Sequence, residues 1–287
     1  MNMSSNQKLE QEDLQSWIGN SEAIADILTA RQCVSLRAIL DHANYSLATG
    51  SLPQTGHWLL APTIAAQKDL GQDGHPMTGG FLPPVGLPRR MWASSKIEFN
   101  FPLLPGMAVD RRSVVLSLVE RVGSTGRLVF VEVGHEYAVD GATAVAERQT
   151  IVYREMTGAS QSPKMDEGSS SSWNLQKQIV PTTVLLSRYS FVTFNSHRIH
   201  YDQPYATGTE GYPALIVHGP LLATLLANLV CETFGDDALK TYAFRAMSPA
   251  FVDRPIRLSG QVDGSNIQLR AVSDDDRILM AAEGTLG

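Results

Sequence analysis

The chain has 287 residues, 43% of them hydrophobic, and a formal net charge of −6. That length suits one large domain or two of ordinary size, and the apolar share argues against wholesale disorder. The acidic balance excludes general binding to a phosphate backbone, so no nucleic acid is expected, while a local arginine cluster could still meet a small anion.

The N-terminal stretch is polar and acidic. It lacks the basic start and apolar run of a secretory signal and the arginines of a transit peptide. Helical spacing is read over Glu10–Trp17 and Ser21–Leu47, with Ser21 as an N-cap and Ile24, Ile27, Leu28 and Cys33 near one face. HWLLAP, His57 to Pro62, reads as a short buried strand. A stretch dense in Gly and Pro follows, from Gly71 to Arg90. From Ser95 the pattern is strand after strand: SKIEFNFPL, SVVLSLVERV, a GSTG turn, RLVFVEVGHEYAV, a turn at Asp140–Gly141, and TAVAERQTIVYRE. Alternating apolar residues between Gly turns predict an antiparallel meander.

Met156 to Trp173 is Ser-rich with no apolar period, and reads as a linker between two halves. In the second half LLSRYSFVTF reads as a strand, followed by a polar loop and a helix from about Pro220 to Phe234. Three strands are expected after it, near TYAFRAM, PIRLSGQVDG and NIQLRAVSDDDRILMAAEGTL. KIEFNFPLLPGM in the first half aligns with YAFRAMSPAFVD in the second, each a strand closed by a Pro. The pattern suggests duplication of one α+β unit, a helix packed on a curled antiparallel sheet. No apolar run reaches membrane-spanning length. Cys33 and Cys231 sit in apolar helical patterns as buried free thiols, which fits a reducing cytoplasm.

The loop after LLSRYSFVTF carries the chemistry. Asn195, His197, His200 and Asp202 fall within eight residues. Histidine is the usual choice for moving a proton near neutral pH. Two histidines and a carboxylate could also ligate a metal, but no HExxH pattern or cysteine partner supports it, so no metal is expected. His218–Gly219–Pro220 opens the helix, where free N–H groups can hold a developing oxyanion. Arg89, Arg90 and Trp92 close the Gly/Pro stretch, and Arg245 interrupts an otherwise apolar strand. Arginine forks suit phosphates and carboxylates, and these cations are split between the halves. No nucleophile elbow, Walker or dinucleotide-binding pattern is present.

Tyr189 to Leu221 resembles the hydratase-2 motif of MaoC-like hydratases: an aromatic residue, then Ser/Thr-Gly-Asp-x-Asn-Pro-Leu-His. The motif's catalytic His falls on His200 and its catalytic Asp on Asn195, so one acid–base group is replaced by an amide. TFNSHRIHYDQPYA, the later EGYP and VHGPL, and PRRMWASSKIEFNFPLLPG in the first half look closer to one subgroup. That subgroup holds the mitochondrial-type 3-hydroxyacyl-thioester dehydratases and the bacterial mesaconyl-C4-CoA and itaconyl-CoA hydratases. The resemblance implies a double hot-dog fold of the α+β class. An N-terminal unit with extra helices would span residues 1–155 and share in CoA binding, a linker 156–173, and a unit carrying the motif 174–287.

The resemblance also implies a CoA thioester as partner, no cofactor, and hydration of a C5-dicarboxylyl-CoA. A 3-hydroxyacyl-thioester dehydratase, a noncatalytic thioester-binding protein and a hot-dog thioesterase are the alternatives. His200 would be the acid–base group, Asn195 would orient water, and Gly219 N–H would hold the oxyanion. Asp202 and His197 are candidates for the missing base, with His200 serving both transfers as the other option. Arg198, Arg89, Arg90, Trp92, His218 and Arg245 are the expected substrate-binding residues. The fold is compatible with a homodimer, although two fused halves already satisfy the usual pairing.

Overall fold

The computed structural model describes residues 14–42, 50–123, 126–155, 165 and 173–287. Ten strands form one antiparallel sheet in the order β1-β3-β4-β5-β2-β7-β10-β9-β8-β6. In the first half these are β1 (Ser21–Ile27), β2 (Arg89–Phe99), β3 (Ala108–Gly123), β4 (Gly126–Val139) and β5 (Ala142–Arg154). The second half supplies β6 (Leu175–Ile179), β7 (Leu239–Ala246), β8 (Ile256–Asp263), β9 (Asn266–Ser273) and β10 (Ile278–Leu286). Helices α1 (Ala30–Ile39), α2 (Thr183–Thr193) and α3 (Gly219–Phe234) pack with them. The order reads symmetrically outward from the β2–β7 seam. In both halves a short strand pairs at the edge (β1 on β3, β6 on β8), and a helix capped by threonine follows it.

The predicted meander is present from β3 to β5, with its turn at Asp140–Gly141, while β2 crosses over to pair with β5. KIEFNFPLLPGM and YAFRAMSPAFVD contribute β2 and β7, which lie side by side at the seam. Several expectations fail for identifiable reasons. Ser21–Ile27 is a strand of alternating exposure, not the start of a helix. The helix begins after Thr29, whose side chain forms a reciprocal capping box with Gln32, a stronger start signal than Ser21. Of Glu10–Trp17 only the part from Leu14 is described, where Leu14 and Gln15 are helical and a turn follows; residues 43–49 of the longer predicted helix lie outside the described residues. His57 sits in a 3-10 turn, Gly56–Leu59, rather than a strand. LLSRYSFVTF is not a strand but most of α2, because Leu186, Tyr189 and Ser190 are buried at helical spacing. The final predicted segment folds back as the hairpin β9–β10. Nearly all of the proposed linker lies outside the described residues.

Helix α3 runs from Gly219, one residue before its Pro, and every residue from Leu221 to Cys231 is buried. A predominantly apolar helix buried on every side must be enclosed, and the second-half sheet wraps it. In the first half the described residues between α1 and β2 form two short 3-10 turns, Gly56–Leu59 and Gln67–Asp69. There the sheet packs a second apolar cluster, in which Val115, Val129, Val131 and Val133 meet Val85 from the Gly/Pro stretch. Cys33 and Cys231 are buried and free. No helix is long and apolar enough to cross a membrane among the described residues.

Leu226 is fully buried in α3. Leu226→Ala is expected to cost about 2–5 kcal/mol of stability through lost burial and a residual cavity. Urea unfolding followed by circular dichroism would measure it, and a loss under about 1 kcal/mol would contradict an enclosed helix.

Candidate active site

Strands β2 and β7 pair only from Ser94–Glu98 to Thr241–Arg245. A bulge between Trp92 and Ser94 marks the end of that pairing. The start of α3 lies in this gap: a Cβ added to Gly219 would sit 3.9 Å from the Trp92 carbonyl oxygen. The unpaired N–H groups of a first helical turn are thus delivered to the junction of the halves.

The motif loop reaches the same place. Phe194 ends α2 in the left-handed region (φ 51°), and Asn195 follows. Asn195 Oδ1 accepts the His197 N–H at 2.9 Å, a local turn that fixes the start of the loop. The Gly/Pro stretch of the first half then clasps this loop. Arg198 N–H donates to the Asp73 carbonyl at 2.8 Å, Arg198 Nη1 to the Gln72 carbonyl at 2.9 Å, and Ser196 Oγ to the Gly74 carbonyl. Gly74 has φ +88°, and any Cβ there would fall 2.0 Å from the Ser196 carbonyl oxygen, so only glycine permits the approach.

The clasp aligns four histidines. His75 packs on His197 with ring centroids 4.0 Å apart, and His197 meets His200 edge-on at 5.4 Å. His200 stacks on His218 at 3.6 Å with an interplanar angle of 19°. His200 Nδ1 lies 2.7 Å from the Ile216 carbonyl oxygen. A carbonyl only accepts, so Nδ1 carries the hydrogen and Nε2 keeps the lone pair. His75 Nδ1 lies 2.9 Å from Asp73 Oδ2, which fixes the same tautomer. His218 occupies the N-cap position of α3, and its Nε2 bonds Ser190 Oγ at 2.8 Å.

Burial dominates the electrostatics. It pulls His200 down to about 3, with the Ile216 hydrogen bond opposing it only in part. Burial likewise lowers His75 and His197, and both feel the Arg90 guanidinium. His218 falls well below its ordinary value for the same first reason, with the neighbouring histidines adding to it. Burial would raise the Asp73 carboxyl, but the hydrogen bond and charge of His75 outweigh it and hold it low. The row is therefore neutral at pH 7, with Asp73 ionised beside it.

Asn195 and His75 line a cavity of about 220 Å³, together with Trp58, Trp92, Arg111 and Glu147 of the first half. Trp58 and Trp92 meet edge to face at 4.9 Å. Glu147 is buried among donors: His57 Nε2 at 3.0 Å, Trp58 Nε1 at 2.9 Å and Ser95 Oγ at 2.5 Å. Burial pushes this carboxyl up, and the contacts with His57, His135 and Ser95 more than reverse it. Larger depressions, of about 810 Å³ over the outward side chains Lys96, Arg112 and Glu283 and about 550 Å³ beside Leu52 and Phe101, do not touch the motif loop.

The structure thus brings His200, His197, His218, Gly219, Asn195 and Trp92 to one junction. It engages several other expected residues elsewhere. Asp202 accepts from Arg198 at 2.7 and 2.9 Å and from Tyr205 N–H at 3.1 Å, and these donors hold its carboxyl below the usual range. Arg198 also lies over the Tyr205 ring at 4.1 Å, so it braces the loop. Arg89 pairs with Glu210 at 3.1 Å. Arg245 does not need a buried partner: it is exposed on the outward face of β7, opposite Ser94. Arg90 has no carboxylate partner among the described residues, yet lies near enough to bias His75 and His197. Sequence reasoning missed Asp73 and His75, although an Asp and a His two apart in a Gly-rich turn was a readable signal. Donor atoms of Asp73, His75 and His197 lie within 4.8 Å of one another, close enough to share a metal ion, though Arg90 opposes added positive charge there.

This fold and junction define a MaoC-like double hot-dog protein. A MaoC-like dehydratase from Phytophthora capsici superposes with a TM-score of 0.72 over 96% of this chain and 97% of its own, at 14% identity. Residues 54–252 match the hydroxyacyl-thioester dehydratase type 2 family, and the chain belongs to it. It is 37% identical over 276 residues to the mesaconyl-C4-CoA hydratase of Chloroflexus aurantiacus, covering 96% of this chain and 98% of that protein. It is 25% identical over 261 residues to the mitochondrial hydroxyacyl-thioester dehydratase type 2 of Schizosaccharomyces pombe, covering 82% and 86%.

The neutral row also makes stability depend on acid. His200 has its folded pKa about 3 against an ordinary 6.5, so the unfolded chain binds its proton first. Its stabilising contribution is complete above about pH 6.5 and is lost progressively as pH falls toward 3, by about 2 kcal/mol at pH 5. Melting temperature measured from pH 7.5 to 4.5 should fall, and His200→Asn should flatten the slope.

Proposed function

We propose that the protein is a hydro-lyase that adds water across the double bond of a C5-dicarboxylyl-CoA thioester, itaconyl-CoA or mesaconyl-C4-CoA, giving citramalyl-CoA. The observation that carries this is the 37% identity to a mesaconyl-C4-CoA hydratase over nearly the whole of both chains. The substrate would place this step in itaconate degradation, and two buried free cysteines fit a cytoplasmic enzyme.

Hydration moves charge from the alkene onto the thioester oxygen. Donors at the start of α3, Gly219 N–H first among them, would hold that oxyanion. Asn195 cannot take a proton at neutral pH, but its amide can orient water inside the cavity. The acid–base step runs through the histidine row, to which the motif contributes His200. The second half, residues 174–287, carries the motif, and the first, to residue 155, supplies the cavity wall and the clasp, with residues 156–173 joining them. Arg198 and Arg89 are already paired, which leaves Arg90 to meet the free carboxylate of a dicarboxylyl substrate. The likeness to a hydroxyacyl-thioester dehydratase favours a 3-hydroxyacyl-thioester dehydratase as the second reading.

Purified protein offered itaconyl-CoA, mesaconyl-C4-CoA and crotonyl-CoA should hydrate the dicarboxylyl thioesters. Reaction with crotonyl-CoA alone would reject the first reading. Arg90→Gln should raise KM for the dicarboxylyl substrates about 10–100-fold through loss of a charged hydrogen bond. His200→Ala should lower kcat by about 10² or more in a folded protein, and steady-state kinetics beside a circular dichroism spectrum would check both.

A further inference from the structure

Given the hydratase reading, on which this step rests, we propose that His75, oriented by Asp73, is the acid–base group that meets the water and replaces the carboxylate missing at Asn195.

Three observations carry it. First, His75 shares the wall of the 220 Å³ cavity with Asn195, whereas neither His197 nor His200 lines it. Second, the two imidazoles differ in what their Nδ1 meets. For His75 it is the Asp73 carboxylate at 2.9 Å; for His200 it is the neutral Ile216 carbonyl at 2.7 Å. A carboxylate stabilises the imidazolium that forms when a base takes a proton, and a carbonyl does so far less. Third, the pair is held rigidly. The His75 N–H donates to Asp73 Oδ1 at 3.0 Å, and the Asp73 carbonyl accepts from Arg198 N–H, so the clasp fixes the dyad against the motif loop.

The step balances without a second charged group. As the water oxygen bonds to the β carbon, its proton goes to His75 Nε2. The π electrons move to the α carbon and the thioester oxygen, which the N–H groups at the start of α3 receive. The imidazolium, its Nδ1–H on Asp73, then returns that proton to the α carbon. Neutral His75 is restored, and no proton is gained or lost overall. His200 positions the row by packing between His197 and His218.

The experiment compares full-length wild type with His75→Ala, His75→Gln and Asp73→Asn on the dicarboxylyl-CoA thioesters, with and without added imidazole. Folding is checked by circular dichroism. His75→Ala and His75→Gln should lose about 10²–10⁴ in kcat, the range of a lost general base, with KM within about threefold of wild type. Imidazole should restore His75→Ala in part, by filling the vacated space, and leave His75→Gln unchanged. Asp73→Asn should fall about tenfold or more. A hydrating wild type with either folded His75 variant within about threefold in kcat would overturn the assignment and leave the hydratase reading standing. So would a folded, inactive His75→Ala that imidazole does not rescue. Activity abolished by a chelator and restored by zinc would make Asp73, His75 and His197 a metal centre instead. A wild type that hydrates none of the thioesters would remove the hydratase reading and this step together.

Discussion

The pairing of β2 with β7 is the constraint on which the molecule depends. Five residues of each strand join two sheets into one, and the bulge at Trp92 lies where that pairing stops. Continued pairing would leave no space for the first turn of α3. Ending sooner would leave β7 unpaired along its inner edge. The junction is therefore both a structural seam and a gap, with unpaired helical N–H groups aimed at it. The enclosed helix fixes the gap from behind, since α3 cannot shift without exposing its buried stretch from Leu221 to Cys231.

The two halves have diverged in what they bring to this gap. In the second half the sheet keeps a full central helix, and that helix presents donors. In the first half a short turn carries His57 and Trp58, which bind the buried Glu147. A buried carboxylate is costly unless its oxygens are satisfied, and here four side chains, counting Trp92 behind Ser95, build a fixed polar wall. The short turn of the first half thus carries Trp58 to the cavity wall, beside Glu147.

Much of the fold was readable because alternation and turn chemistry agreed with the final sheet, as from β3 to β5. The failures fell where two periods compete. SEAIADI reads as helix by its spacing of Ile24, Ile27 and Leu28, yet it is an edge strand with alternating exposure. LLSRYSFVTF is rich in residues that favour strands, but burial of Leu186, Tyr189 and Ser190 and the threonine cap decide for a helix. At the site, the motif loop was legible because its polar residues are contiguous in sequence. The Asp73–His75 pair itself was readable, two residues apart, but its link to the motif loop was not, because those contacts span more than a hundred residues and run through backbone atoms such as the Gly74 carbonyl. Arg198 and Asp202 misled for the opposite reason: residues four apart can satisfy each other, and these do.

The clasp also bears on the replaced aspartate. At Asn195 a carboxylate would sit in the same cavity wall as Glu147, and His75 already brings Asp73 close by. Like charges in a shared, water-poor space raise each other's pKa, so a third carboxylate would tend to take up a proton or displace its neighbours. An amide at Asn195 keeps the hydrogen-bonding shape, with its oxygen on the His197 N–H, and adds no charge. Basicity can then reside in an imidazole whose carboxylate partner stands one layer back. An amide at Asn195 is compatible with the docking of the Gly/Pro loop of the first half, whose residues 72–74 hold the motif loop through Ser196 and Arg198.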